Sequence, residues 1–164
     1  MKAARQVLVG FILAFVFAGF PFGASADGSC DRPGTPLEAK ALAETAAAHL
    51  ADVGMGKAFN DFMHPQGGYM PFDLYVFVID RKGLMWVNGR FPGMMGSSIG
   101  GASGGSGGQN IMQDAMKRAD EDGSAWVEYN WYNPCTGEQM PKSTFMLKAG
   151  EFFIGVGAYG RLSV

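Results

Sequence analysis

Histidine and cysteine are scarce in this 164-residue chain, with two of each, and the scarcity removes several kinds of chemistry. His49 and His64 both lie upstream of the two stretches that fit G-x-S-x-G, Gly101 to Gly105 and Gly104 to Gly108. A hydrolase built on that elbow needs a histidine later in the chain, so these matches are read as products of a glycine-serine tract. Neither histidine has a cysteine or second histidine at metal-ligand spacing. The cysteines form no C-x-x-C or C-x-x-C-H pattern, which argues against redox catalysis and covalent haem. Basic residues are in no surplus, 13 against 15 acidic ones, so there is no basic face for nucleic acid.

Long apolar runs are also lacking, with one exception. Val7 to Phe22 follows Lys2 and Arg5 and precedes Gly23-Ala24-Ser25-Ala26, the three-part layout of a secretory signal with small residues at the cleavage point. At 16 residues the run is short for a bilayer span, which needs about 20. Residues 1–26 are therefore expected to be a signal peptide cleaved after Ala26, residues 27–35 an N-terminal segment, and residues 36–164 a single domain. Removing two of the 13 basic residues and none of the 15 acidic ones leaves a charge of −4 on 138 residues, enough chain for one compact core. Outside the cytoplasm, Cys30 and Cys135 are expected to form one disulfide pinning the N-terminal segment to the sheet.

Thr35-Pro36-Leu37-Glu38 reads as a capping box with proline at the first helical position. The helix it starts should bury a face of Leu42, Ala46, Leu50 and Val53 and break or kink at Gly54 and Gly56. A short second helix with Phe59, Phe62 and Met63 on one side should stop before Pro65. Residues 72–79 are apolar on both parities, the pattern of a strand covered on both faces. Asp80-Arg81-Lys82-Gly83 is a turn, and 84–88 the returning strand. Residues 92–108 hold eight glycines and four serines and are expected to be a flexible loop, either a lid or a passive connector. A helix capped by Asn110 should carry the stripe Ile111, Met112, Ala115, Met116 and Ala119 to Gly123. Strands at 125–132, 142–148 and 152–159, joined by short turns, complete an antiparallel meander. The fold class is α+β, one central antiparallel sheet with helices.

Two further motifs look chemical. Gly155-Val156-Gly157-Ala158-Tyr159-Gly160 fits G-x-G-x-x-G, but only four residues follow and the dinucleotide motif needs a helix there. Methionines suit Cu(I) in an exported carrier, with Met112, Met116, Met94 and Met95 the best placed; the competing reading is a methionine-rich core. No metal site or cofactor is assigned, and no enzymatic activity is expected.

One constellation points to a binding site. Tyr129 and Trp131 alternate on one strand, while Lys142, Thr144 and Met146 alternate on the next. Rings beside an ammonium would suit a small carboxylate. The competing reading is a solvated edge lysine and plain core aromatics, and strand register, which decides between them, is not written in the sequence.

The run Asp73 to Asp80, then Gly83, Glu128-Tyr129-Asn130-Trp131-Tyr132-Asn133-Pro134, Pro141-Lys142-Ser143-Thr144-Phe145 and Ile154-Gly155-Val156-Gly157-Ala158-Tyr159 resembles the single Cache domain. That family is the extracytoplasmic sensor module of bacterial chemoreceptors and histidine kinases. The resemblance implies a PAS-like fold, a long N-terminal helix on an antiparallel sheet of about five strands, with a ligand cavity on the sheet's other face. It implies small organic acids as ligands and places Tyr129, Trp131 and Lys142 in the pocket; Tyr75, Phe77 and Trp86 of the first hairpin complete the candidate set. The chain departs from the family's usual histidine-proline at the end of the second strand, having Asn88-Gly89-Arg90 instead. With Val164 just past its last strand, it is expected to be a stand-alone periplasmic or secreted domain working through a membrane-bound signalling partner. A ligand-free interaction module is the second reading.

Overall fold

A computed structural model of the protein describes residues 30–99 and 106–162. The expected leader lies outside the described residues. Helix α1 (Pro36–Met63) is followed by strands β1 (Val76–Asp80) and β2 (Met85–Asn88), helix α2 (Ser106–Asp122), and strands β3 (Ser124–Asn133), β4 (Glu138–Ala149) and β5 (Phe152–Tyr159). The five strands form one antiparallel sheet in the order β2-β1-β5-β4-β3.

α1 starts as its capping box dictates. The Thr35 hydroxyl accepts from the Glu38 amide, and the Glu38 carboxylate accepts from the Thr35 amide, satisfying two amides that helix geometry leaves without partners. Arg32 pairs with the same carboxylate, which is held down at about 2 chiefly by that contact. The expected break is a kink at Gly54, whose φ of 77° and ψ of 167° lie outside the helical region, and the His49 ring meets Asp61 across it at 2.8 Å. The face against the sheet is Ala39, Ala43, Ala46, Ala58, Phe59 and Phe62; the expected Leu42, Leu50 and Val53 pack beside it, half-buried. Small side chains on the contacting face let the helix axis come close to the sheet.

Alternation along the strands divides the core in two. The α1 side holds Leu74, Val76, Val78, Val87, Phe145, Ile154 and Val156. The other side, covered by α2, holds Phe77, Ile79, Met85, Val127, Met146 and Phe153 against Met112, Ala115, Met116 and Ala119. Met112 and Met116 thus sit in the core, the bland alternative to a copper site. α2 begins at Ser106, earlier than the expected start at Asn110. Part of the expected loop is ordered as well: a 3-10 turn spans Pro92–Met94, and residues 96–99 bond to Met85 and Gly83, covering the outer edge of β2. Residues 100–105 lie outside the described residues.

Cys30 and Cys135 are joined, with Cα atoms 5.5 Å apart. Cys135 lies in the β3–β4 turn, so the bridge ties the segment before α1 to the tip of that hairpin. Among the described residues no helix is long and apolar enough to cross a membrane.

Candidate functional site

Register brings the candidate residues other than Trp86 together on the α2 side of the sheet. Tyr129 pairs with Lys142, which pairs on its other edge with Tyr159. Val127 pairs with Thr144, which pairs with Gly157. Phe77 pairs with Gly155. Because partners directly opposite share a face, Lys142, Thr144, Tyr129, Tyr159, Gly155 and Gly157 all face α2.

The two glycines are the floor of this surface. A Cβ on Gly155 would lie 2.0 Å from the Phe77 ring, and one on Gly157 would lie 2.3 Å from Lys142 Cε and 2.3 Å from Thr144 Oγ1. The close approach that glycine permits at these positions is made by neighbouring side chains, which lie flat across the backbone. Gly157→Ala should destabilise the domain by about 1–3 kcal/mol, the usual cost of forcing atoms into a packed core, measured by urea unfolding; a change below about 0.5 kcal/mol would show that Lys142 gives way freely.

Lys142 is 1% exposed. Its ammonium lies 3.9 Å from the centre of the Tyr75 ring and 4.8 Å from that of Tyr159, so two π faces stand where water or an anion would ordinarily be. Lys142 Nζ and Trp131 Nε1 are buried and make no well-formed hydrogen bond among the described residues, although the Trp131 N–H acts on the Tyr75 oxygen and lowers that phenol's pKa against the larger effect of burial. Burial lowers the Lys142 pKa to about 7, with the negative field of Asp73 opposing the fall. Asp73 itself is 3% exposed and accepts the Gly34 amide at 2.6 Å, which fixes it beside the turn where Phe72 takes a positive φ of 57°.

The surrounding phenols are neutral. Burial pushes Tyr129 up to about 12 and raises Tyr75 and Tyr159 as well. Tyr129 and Thr144 share a hydrogen bond of 3.0 Å, and the Tyr159 hydroxyl donates to the Tyr132 carbonyl at 2.7 Å.

A cavity of about 20 Å³ is walled by Tyr75, Phe77, Met85, Asn88, Ile99, Met112, Tyr129 and Trp131. Four of the six candidates, Tyr75, Phe77, Tyr129 and Trp131, line it. Lys142 lies against Tyr75, whose ring both walls the cavity and covers the ammonium. Trp86 is elsewhere, which corrects its placement in the set. The β1–β2 pairing shifts between Val78 and Ile79, running Val78 to Val87 and then Ile79 to Met85, so the bulge skips Trp86. Met85 takes the inward position; Trp86 is 40% exposed and packs on Phe59 and Phe152. Sequence reasoning missed Asn88, Met85, Ile99 and Met112 as cavity walls and Asp73 as the nearby charge. The apolar parity of β1 and the stripe on α2 mark a covered face, but no local signal names which of their residues meet.

A helix packed on one face of an antiparallel sheet, with a ring-walled hollow and a buried cation on the other, defines a domain of the PAS-like type. The chain belongs to the single Cache domain 2 family, whose model matches residues 34–161. Among solved structures it is similar to a methyl-accepting chemotaxis protein from Vibrio parahaemolyticus RIMD 2210633, with a TM-score of 0.60 and 18% identity over 75% of this chain and 86% of that one. It is similar to a periplasmic sensor domain of a chemotaxis protein, with a TM-score of 0.56 and 21% identity over 76% and 90% of the two chains. A third similar structure, a Cache chemosensory domain described for carboxylic acid recognition, has a TM-score of 0.54 and 17% identity over 76% and 88%. At these identities the likeness is one of fold. No curated protein matches the chain.

Proposed function

We propose that this is an exported sensor domain that binds a small organic acid and acts through a partner protein, without catalysis. The observation that carries the reading is the buried Lys142 Nζ, a donor with no hydrogen-bond partner among the described residues, beside a Trp131 Nε1 that makes no well-formed hydrogen bond there. An unmade hydrogen bond at a buried donor costs about 1–3 kcal/mol, and more for a charged group. A carboxylate supplies two acceptor oxygens and the missing negative charge. It would take the place of the Tyr75 ring face against the ammonium, which requires that ring to swing aside. No carboxylate is among the residues that wall the cavity, so the site offers no partner for a ligand's amino group, and acids are favoured over amino acids. The fold likeness to a domain described for carboxylic acid recognition agrees with this chemistry. Export, by cleavage of residues 1–26, would put the domain where it meets such solutes.

A thermal-shift panel of organic acids, amines and amino acids tests the reading, because a ligand held only by the folded state adds about 2.7 kcal/mol at 100 times its Kd. Acids should raise Tm and amines should not. Silence across the panel would retire the carboxylate reading in favour of a docking module without a ligand.

A further inference from the structure

The cavity beside the buried Lys142 ammonium is small. The inner cavity of about 20 Å³ has room for about one water, too little for an organic acid's hydrocarbon part. Outside it lies a groove of about 260 Å³ walled by Phe91, Met94, Trp131, Tyr132 and Gln139. An apolar cavity of about 150 Å³ suffices for benzene, so the groove has room for an aromatic ring and substituents. Its walls suit one: Phe91 stands 6.4 Å from Trp131 and 6.2 Å from Tyr132, at interplanar angles of 76° and 65°, which presents both faces and edges for stacking.

The two spaces lie on either side of shared walls. Trp131 is a wall of both. Phe91 is a wall of the groove and also packs edge-on against Tyr75, the ring covering the Lys142 ammonium, at 5.7 Å. A ligand with a ring in the groove and a short arm that parts the edge contact of Phe91 with Trp131 would deliver its terminal group to Tyr75, Trp131 Nε1 and Lys142.

We infer that the domain's ligand is an arylalkanoic acid, its aromatic ring held in the outer groove by Phe91, Trp131 and Tyr132 and its carboxylate arm reaching inward. This inference rests on the carboxylate reading and adds to it the tail, which the inner cavity is too small to hold.

Isothermal titration of the whole protein with acetate, phenylacetate and 2-phenylethanol at pH 6.5, in the wild type and in Tyr132→Ala, tests it. Tyr132 is 44% exposed and contributes only its main-chain carbonyl to the Tyr159 hydrogen bond, so the substitution keeps that contact. Phenylacetate should bind at least tenfold more tightly than acetate, with 2-phenylethanol weak, and the phenylacetate-to-acetate ratio should fall severalfold in Tyr132→Ala. Phenylacetate binding no tighter than acetate would overturn the ring site and leave the carboxylate reading standing. An unchanged ratio in Tyr132→Ala would overturn the groove as its location. Equal binding of 2-phenylethanol and phenylacetate would overturn the acid class, and no binding by either acid would remove both proposals together.

Discussion

Lys142→Met should give a domain more stable than the wild type at pH 6, by on the order of 5 kcal/mol, with most of the difference gone by pH 10. The magnitude follows from a fall in the lysine pKa from 10.5 to about 7, each unit being worth about 1.4 kcal/mol. The sign follows from proton counting. The folded pKa is below the unfolded one, so between pH 7 and 10.5 the unfolded chain binds more protons and stability rises with pH. Below about 7 both states carry the charge, and the folded state bears the whole cost of burying it. Methionine matches the stem that lies across Gly157 and brings no charge. The neighbouring phenols do not blur the window, because burial raises Tyr75, Tyr129 and Tyr159. Urea unfolding at pH steps from 6 to 10 measures both arms. A wild type whose stability is flat across that range, or a methionine variant less stable at pH 6, would mean that the ammonium is better solvated than its 1% exposure implies.

A buried cation with no acceptor is an expensive feature for a domain of this size, whose whole stability is about 5–15 kcal/mol. The glycines beneath it, the two rings above it and Asp73 beside it all serve to tolerate that group. Such a concentration of local cost, opposite an apolar cluster that holds no charged side chain, agrees with the binding role proposed for Lys142.

How much of this the sequence carries depends on how local the cause is. The Thr35 and Glu38 cap, the Gly54 kink, the helix stop before Pro65 and the Asp80 to Gly83 turn each arise from contacts within a few residues, and all are legible there. Tyr129, Trp131 and Lys142 can be read as three residues of alternating strands, but their meeting is fixed by the pairing of Tyr129 with Lys142 and of Lys142 with Tyr159. That register depends on turns and packing far away in the chain. Trp86 shows the same limit from the other side. Strict alternation puts it inward, and one skipped residue opposite Val78 and Ile79 reverses the parity of Met85 and Trp86, as a one-residue slip must. The start of α2 differs too: glycine-rich composition argues for a loop through Gly108, whereas the helix begins at Ser106.

Carboxylate affinity should fall about tenfold for each pH unit above 7 and be nearly constant from pH 7 down to about 5. With its pKa at about 7, the Lys142 amine is largely neutral at pH 8.5 in the empty site. An anion bound there favours the ammonium and raises that pKa. Binding above pH 7 therefore takes up a proton, and the work of placing it on the amine is subtracted from the affinity, about 1.4 kcal/mol per unit. Below pH 7 the amine is already charged and no such cost arises, until the ligand's own carboxyl group protonates near pH 4–5. Tyr129 and Tyr159 cannot imitate this profile, because their hydroxyls are neutral throughout the range. Calorimetry with acetate at pH 8.5 in two buffers of different ionisation enthalpy reads the proton directly: the apparent heats should differ by close to one buffer ionisation at pH 8.5 and agree at pH 6. Lys142→Met should bind at least a hundredfold more weakly at pH 6 and show no buffer dependence at either pH. Matching heats at pH 8.5 in the wild type, with affinity unchanged from pH 7 to 9, would mean that the anion is held by Trp131 and the phenols alone, with the lysine remaining behind Tyr75.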